Sequence, residues 1–256
     1  MSVLRERVDG AVTRLTLARP DKRNALSPDL VRALLDALGR AAKDDAVRAV
    51  LLTGEGAAFC AGGDVEAMLA RRGDPQATHK AQQELFAPLA KAVLFVEKPV
   101  VCFANGDAFG AGLSLVLASD WVVAAPAARF AASFVNVGLL PDTGATWLLP
   151  KTLGLRAARE LAMTGEAIDA KRGVELGVAN EIGDLAAAEA RAAKFAAMAT
   201  RAVGLAKRAL VLGTSDDLDS ALAREAALQA ALFTTRDHQE GVDAFLQRRP
   251  ANFDGK

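Results

Sequence analysis

Apolar positions in the first half of the chain come in short runs that switch between two periods. Val3 to Val8 and Val12 to Leu17 alternate around Asp9-Gly10, the pattern of two strands joined by a tight hairpin turn. After the polar loop Asp21-Lys22-Arg23-Asn24, Ser27-Pro28 reads as an N-cap followed by proline at the first helical position. Leu30, Leu34, Leu38 and Ala42, with Val31 and Leu35 beside them, then give a helix one apolar face. Ala49 to Leu52, Pro99 to Ala104 and Trp121 to Ala124 are short apolar runs that predict buried strands. Between them, Asp64 caps a short helix, residues 74–97 read as a loop and a longer helix, and another helix starts near Gly110. Strands alternating with helices predict an α/β fold. Beyond about Thr143 helical spacing dominates, Val178 to Ile182 being the main exception, and Leu185 to Arg249 is expected to be mostly helical. The expected division is an α/β core over 1–184 and a helical region over 185–256.

Composition narrows the class. The chain has 256 residues and is 52% hydrophobic, enough for a substantial core and against general disorder. Lys plus Arg equals Asp plus Glu, 31 of each, so a nucleic-acid partner is not expected. Near-neutral charge also favours burying surface in an oligomer. Cys60 and Cys102 fall in different apolar segments without a metal spacing, which predicts reduced thiols and no metal site. The charged, alternating start is no secretory signal. Leu113 to Ala127, the most apolar stretch, is broken by Asp120 and Pro126 and makes a poor membrane span. A soluble, cytoplasmic protein without a membrane partner is expected.

Two glycine-rich segments follow buried strands: Ala58-Phe59-Cys60-Ala61-Gly62-Gly63-Asp64 and Asn105-Gly106-Asp107-Ala108-Phe109-Gly110-Ala111-Gly112. Small residues admit a ligand close to the backbone. The second segment opens a helix, where the first amides have no intrahelical partner and the dipole favours negative charge. Two such amides converging on one oxygen would make an oxyanion hole. Taken singly, each segment is more ordinarily a turn. Neither carries the P-loop ending, and the second lacks the spacing of a dinucleotide-binding turn.

In this order the two segments, with Ser119-Asp120 and the upstream Arg19-Pro20-Asp21-Lys22-Arg23-Asn24-Ala25-Leu26, resemble the crotonase (enoyl-CoA hydratase/isomerase) superfamily over nearly the whole chain. The resemblance implies an α/β spiral of ββα units with C-terminal helices that join subunits into a trimer or hexamer. It implies an acyl-CoA thioester as substrate, with coenzyme A part of the substrate and no separate cofactor. The oxyanion donors would be the amides of Gly63 and Ala111, the latter where the family often has glycine. Lys22, Arg23 and Ala25 would belong to the coenzyme A loop, with Ala61, Asp64 and Val65 near adenine and pantetheine. Phe109, Gly110, Ser114, Phe134 and Pro141 would complete the substrate site.

One departure redirects the chemistry. The two glutamates that hydratases of this family use match Ser114 and Phe134, neither of which can exchange a proton as a carboxylate does. One acid remains nearby, Asp142, in Leu139-Leu140-Pro141-Asp142-Thr143-Gly144. By itself this reads as a helix N-cap. The stretch from Phe130 to Trp147, however, resembles the phenylacetate-pathway branch, which isomerises ring-1,2-epoxyphenylacetyl-CoA and moves double bonds in enoyl-CoA chains, with its acid at the position of Asp142. The expectation is therefore an acyl-CoA isomerase with Asp142 as base. The alternatives are Asp142 as a nucleophile aided by a histidine, a weak hydratase, or an acyl-CoA-binding member with an inactive site. His79 and His238 sit in polar stretches and are expected to be exposed, and Arg201, Lys207 and Arg208 are expected on a solvated helix face.

Overall fold

Strands Leu4–Asp9 (β1), Val12–Leu17 (β2), Ala49–Gly54 (β3), Val100–Ala104 (β5), Trp121–Ala124 (β7) and Glu181–Ile182 (β10) form a sheet in the order β1-β2-β3-β5-β7-β10. Strands Ala58–Cys60 (β4), Asp107–Phe109 (β6), Arg129–Ala131 (β8) and Ala167–Asp169 (β9) form a second, smaller sheet in that order. The computed structural model describes residues 2–256. Each of β3, β5 and β7 is followed by one strand of the small sheet before the chain turns back, so the polypeptide winds as a spiral of ββα units. β1 and β2 pair antiparallel through the Asp9-Gly10 turn, and β2, β3, β5, β7 and β10 run parallel.

The continuous apolar runs have a simple cause: both faces of the large sheet are covered. Leu15, Leu17, Val50, Leu52, Val100 and Cys102 face helix Pro28–Lys43 (α1) and the main core. Leu51, Val101, Phe103 and Val123 face Ala188 and Ala192 of helix Leu185–Ala196 (α8). The helix starts read from sequence are observed. Ser27 accepts from the Leu30 amide with Pro28 at the first helical position. Asp64 accepts from the Ala67 amide to cap Val65–Leu69 (α2).

The second strand of each ββα unit was implied by the family resemblance, but the hydrophobic pattern did not locate it. The strands of the small sheet are each three residues long, too short to show a period of two, and two of them lie in the glycine-rich segments. Residues 75–95 also differ from the expected loop and helix. They are helical throughout: Pro75–Ala81 (α3), a π-helical turn over Gln82–Phe86, and Ala87–Phe95 (α4). Ala111–Ala118 (α5), Ala145–Thr164 (α6) and Ala170–Glu175 (α7) complete the first part, α6 being broken by a non-helical Gly154.

The C-terminal helices after α8 are Thr200–Gly213 (α9), Leu218–Leu232 (α10) and Arg236–Leu246 (α11). Lys207 corrects the expected solvated face. Its ammonium is buried, donating to Asp120 at 2.7 Å and to the Val93 carbonyl at 2.8 Å, so it bolts α9 to the core. Arg208 is half-exposed and pairs with Glu97. No helix among the described residues is long and apolar enough to cross a membrane.

Candidate active site

Two close main-chain approaches build the site. A Cβ on Gly112 would meet the Cys60 carbonyl oxygen at 2.3 Å, so α5 lies against β4 more closely than a side chain permits. Gly110, at φ 52° and ψ −123°, turns the chain from β6 into α5 in a conformation open to glycine. The turn after β4 consequently faces the first turn of α5: a Cβ on Gly62 would lie 3.5 Å from the Ala111 nitrogen. Ala111 is the first residue of α5, so its amide has no intrahelical acceptor. Gly63 forms a parallel bridge with Leu26, in which the Leu26 amide donates to Gly62 and the Asp64 amide donates to Leu26. In a parallel pairing of this kind the Gly63 amide itself points to the other side. Gly63 and Ala111 line one cavity of about 700 Å³, and Asp142 lines it with them.

Asp142 is held from three directions. The Thr143 hydroxyl donates to Oδ1 at 2.8 Å, the Gln82 amide nitrogen donates to Oδ2 at 2.6 Å, and the Ser114 hydroxyl donates to the Asp142 main-chain carbonyl at 3.0 Å. The helix-cap reading does not hold. The N-cap of α6 is Gly144, and the Asp142 carboxylate accepts no helix amide; only its main-chain oxygen does, from Ala145. Thr143, buried and β-branched, adopts φ 53°, a left-handed conformation that costs about 1–3 kcal/mol in such a residue.

The other proposed residues divide. Ala61, Asp64, Val65, Gly110, Phe134 and Pro141 line the cavity; Lys22, Arg23, Ala25, Phe109 and Ser114 lie outside its lining. The three cations of the loop after β2 are each paired with an acid across from it. Arg19 meets Asp64 at 2.7 Å, Lys22 meets Glu66 at 2.6 Å, and Arg23 joins Arg129 on Asp107. The Ala25 carbonyl accepts from Arg19. Asn24, buried with φ 57°, fixes the loop by accepting from the Arg19 amide and donating to the Glu55 and Ala58 carbonyls. The Glu66 hydrogen bond raises the Lys22 pKa. Burial would raise Asp64, but hydrogen bonds from Arg19 and the Ala67 amide hold it below the usual carboxylate range. Phe109 carries the Arg129 guanidinium over its ring. Ser114 is fully buried, and its hydroxyl braces Asp142.

Leu139 and Leu140 line the cavity, whereas Trp147 does not and lies under Lys151. Gln82, Met68, Arg71 and Arg72 also line it and were not among the candidates. None belongs to a recognisable motif, and only the fold of α2 and of residues 75–86 brings them in. His79 is exposed on α3 and His238 is half-buried against Phe233, both outside the lining. Burial pushes the Cys60 thiol up to about 12 and raises Cys102 as well, so neither is a ready nucleophile.

Known proteins resemble the chain over nearly its whole length. The family model described as "Enoyl-CoA hydratase/isomerase" matches residues 7–256. The 1,2-epoxyphenylacetyl-CoA isomerase of Escherichia coli (strain K12) is 35% identical, with 100% of each chain covered. The 2,3-dehydroadipyl-CoA hydratase of the same organism is 34% identical, with 94% of each chain covered. The crystal structure of an enoyl-CoA hydratase from Polaromonas sp. JS666 superposes with a TM-score of 0.92 at 34% identity, covering 98% of this chain and 99% of that one.

Proposed function

Because the chain belongs to the enoyl-CoA hydratase/isomerase family, we propose that it is an acyl-CoA isomerase in which one carboxylate, Asp142, moves the proton. The observation that carries this reading is the acid inventory of the cavity. Asp142 and Asp64 are the acids lining it, and Asp64 is ion-paired to Arg19. At the positions where the family's hydratases carry glutamates, Ser114 is spent as a brace and Phe134 is apolar.

The chemistry then follows from one base and two amides. Asp142 takes a proton from the carbon beside the thioester carbonyl, and the C–H electron pair becomes the enolate double bond. Negative charge accumulates on the thioester oxygen, where the Gly63 and Ala111 amides would hold it. Loss of one such donor typically costs on the order of 10²–10³ in rate. The protonated Asp142 returns the proton two carbons further along, which brings the double bond into conjugation. The same enolate stabilisation would serve the opening of a ring epoxide. The proton shift consumes no cofactor, coenzyme A being part of the substrate.

A panel of β,γ-enoyl and ring-epoxide thioesters in deuterated water tests the reading. Isomerisation should be accompanied by deuterium exchange beside the carbonyl. Asp142→Asn should lower both by at least about 10². Retention of isomerase activity in that variant would sink the role of Asp142. We infer in addition that the apolar surface of α9 to α11 joins copies of this chain into a trimer or a dimer of trimers.

A further inference from the structure

We infer that Gln82 is the positioning residue of the Asp142 carboxylate, an amide that can serve the base both when it is charged and when it holds the proton. The inference rests on the reading of Asp142 as base. Gln82 donates to Oδ2 at 2.6 Å while Thr143 donates to Oδ1 at 2.8 Å. A carboxylate with a donor on each oxygen cannot turn about its own axis, and each oxygen keeps a second lone pair for the incoming proton. Thr143 adjoins Asp142 in the chain. Gln82 is 60 residues away and sets the carboxylate against a different wall of the cavity.

The local helix geometry explains how a glutamine arrives there. Thr78, Gln82 and Phe86 all line the cavity, at a spacing of four. Ala81, Leu85, Leu89 and Val93, also four apart, are buried on the adjoining face. An uninterrupted helix of 3.6 residues per turn would let both stripes drift around its axis. The π-helical turn over Gln82–Phe86, closed by the Ala87 amide on the Gln82 carbonyl, absorbs that drift. The bulge therefore keeps the Gln82 amide in the cavity while Leu85 and Phe86 remain in the core.

The choice of side chain matches a base that must keep its proton briefly. A glutamine amide donates through nitrogen to the carboxylate. After a half-turn about its last torsion it accepts through oxygen from the carboxylic acid. A donor-only side chain could not accept from the acid hydrogen. The other charged groups around the pair are Asp64, Arg71 and Arg72, which line the cavity, and His79, Lys80 and Glu84, which are exposed on the helical stretch beside Gln82. Asp64 is engaged by Arg19.

The test uses the full chain with a β,γ-enoyl thioester in deuterated water, for Gln82→Leu and Gln82→Glu. Gln82→Leu should lower kcat by on the order of 10-fold to 10²-fold through misplacement of the base, with KM nearly unchanged. Deuterium incorporated per turnover should rise, because the unguided acid exchanges its proton before returning it. Gln82→Glu keeps the shape and sets a second carboxylate against Asp142. The pair should share a proton, moving the acid limb of kcat to higher pH by about a unit or more. Wild-type kcat and deuterium ratio in Gln82→Leu, or an effect confined to KM, overturns the inference. If Gln82→Leu does not fold, an unmoved acid limb in the nearly isosteric Gln82→Glu overturns it. Asp142→Asn in the same assay separates the two readings: if it stays active the base assignment fails, and if it is dead while both Gln82 variants behave as wild type, only Gln82 falls.

Discussion

At the scale of single residues, the site depends on polar side chains that are spent on holding other groups. Asn24, Ser114 and Thr143 are all buried, and each is satisfied by main chain or by Asp142. Asp107 is the electrostatic example. Hydrogen bonds from Arg129, more than burial opposes them, hold its carboxyl below the usual value, and Arg23 adds to the effect. A carboxyl lowered in the folded state contributes stability above its unfolded pKa, about 3.9, and loses that contribution as pH falls through the folded value. Asp107→Asn is thus expected to destabilise the protein by about 1.5 kcal/mol at neutral pH. Urea unfolding across pH should show wild type and variant converging below about pH 4.

At the scale of elements, α9 is tied to the core by a partly buried ion pair. Lys207 reaches Asp120 and two main-chain carbonyls, and Asp120 also accepts from the Val100 amide at the start of β5. Removing the ammonium leaves the Asp120 carboxylate, about a quarter exposed, without its counter-charge beside β5 and β7. Lys207→Ala should cost about 2 kcal/mol or more in denaturant unfolding, whereas the half-exposed Arg208–Glu97 pair should cost less than about 1 kcal/mol when broken. An equal, small effect from both would show that α9 is held by packing alone. In sequence, Lys207 and Arg208 look alike on a polar helix face. Only the position of Asp120, between α5 and β7, separates them.

At the scale of the whole molecule, the C-terminal helices leave apolar surface uncovered. Helix α10 has no buried residue, and Leu210, Leu218, Phe233, Phe245 and Leu246 are all more than half exposed. A second apolar cavity, lined by Val242, Phe245, Leu246 and Phe253, opens on the same region. Light scattering should therefore give a mass that is a multiple of the single chain. The double variant Phe245→Glu/Leu246→Glu should shift it toward the monomer, with a lower melting temperature. A monomeric wild type would contradict assembly through this surface.

Local rules were sufficient for five strands of the large sheet, the caps at Ser27 and Asp64 and the hairpin at Asp9-Gly10, because period, capping and turn chemistry act over a few residues. Ordered glycine motifs likewise brought Gly63 and Ala111 to notice, and the replacement of two glutamates by Ser114 and Phe134 left Asp142 as the acid to consider. Tertiary structure alone decided the rest. Three-residue strands exist only because a neighbouring strand completes their hydrogen bonds, so the small sheet has no local pattern. Lys22 and Arg23 are turned onto Glu66 and Asp107 by the folding of the loop against α2 and β6. Whether Asp142 caps a helix or faces a cavity depends on the left-handed turn through Thr143 and Gly144, which moves the cap two residues on. Gln82 meets Asp142 across 60 residues, a pairing set by the phase of a helix packed in three dimensions and by nothing nearby in the chain.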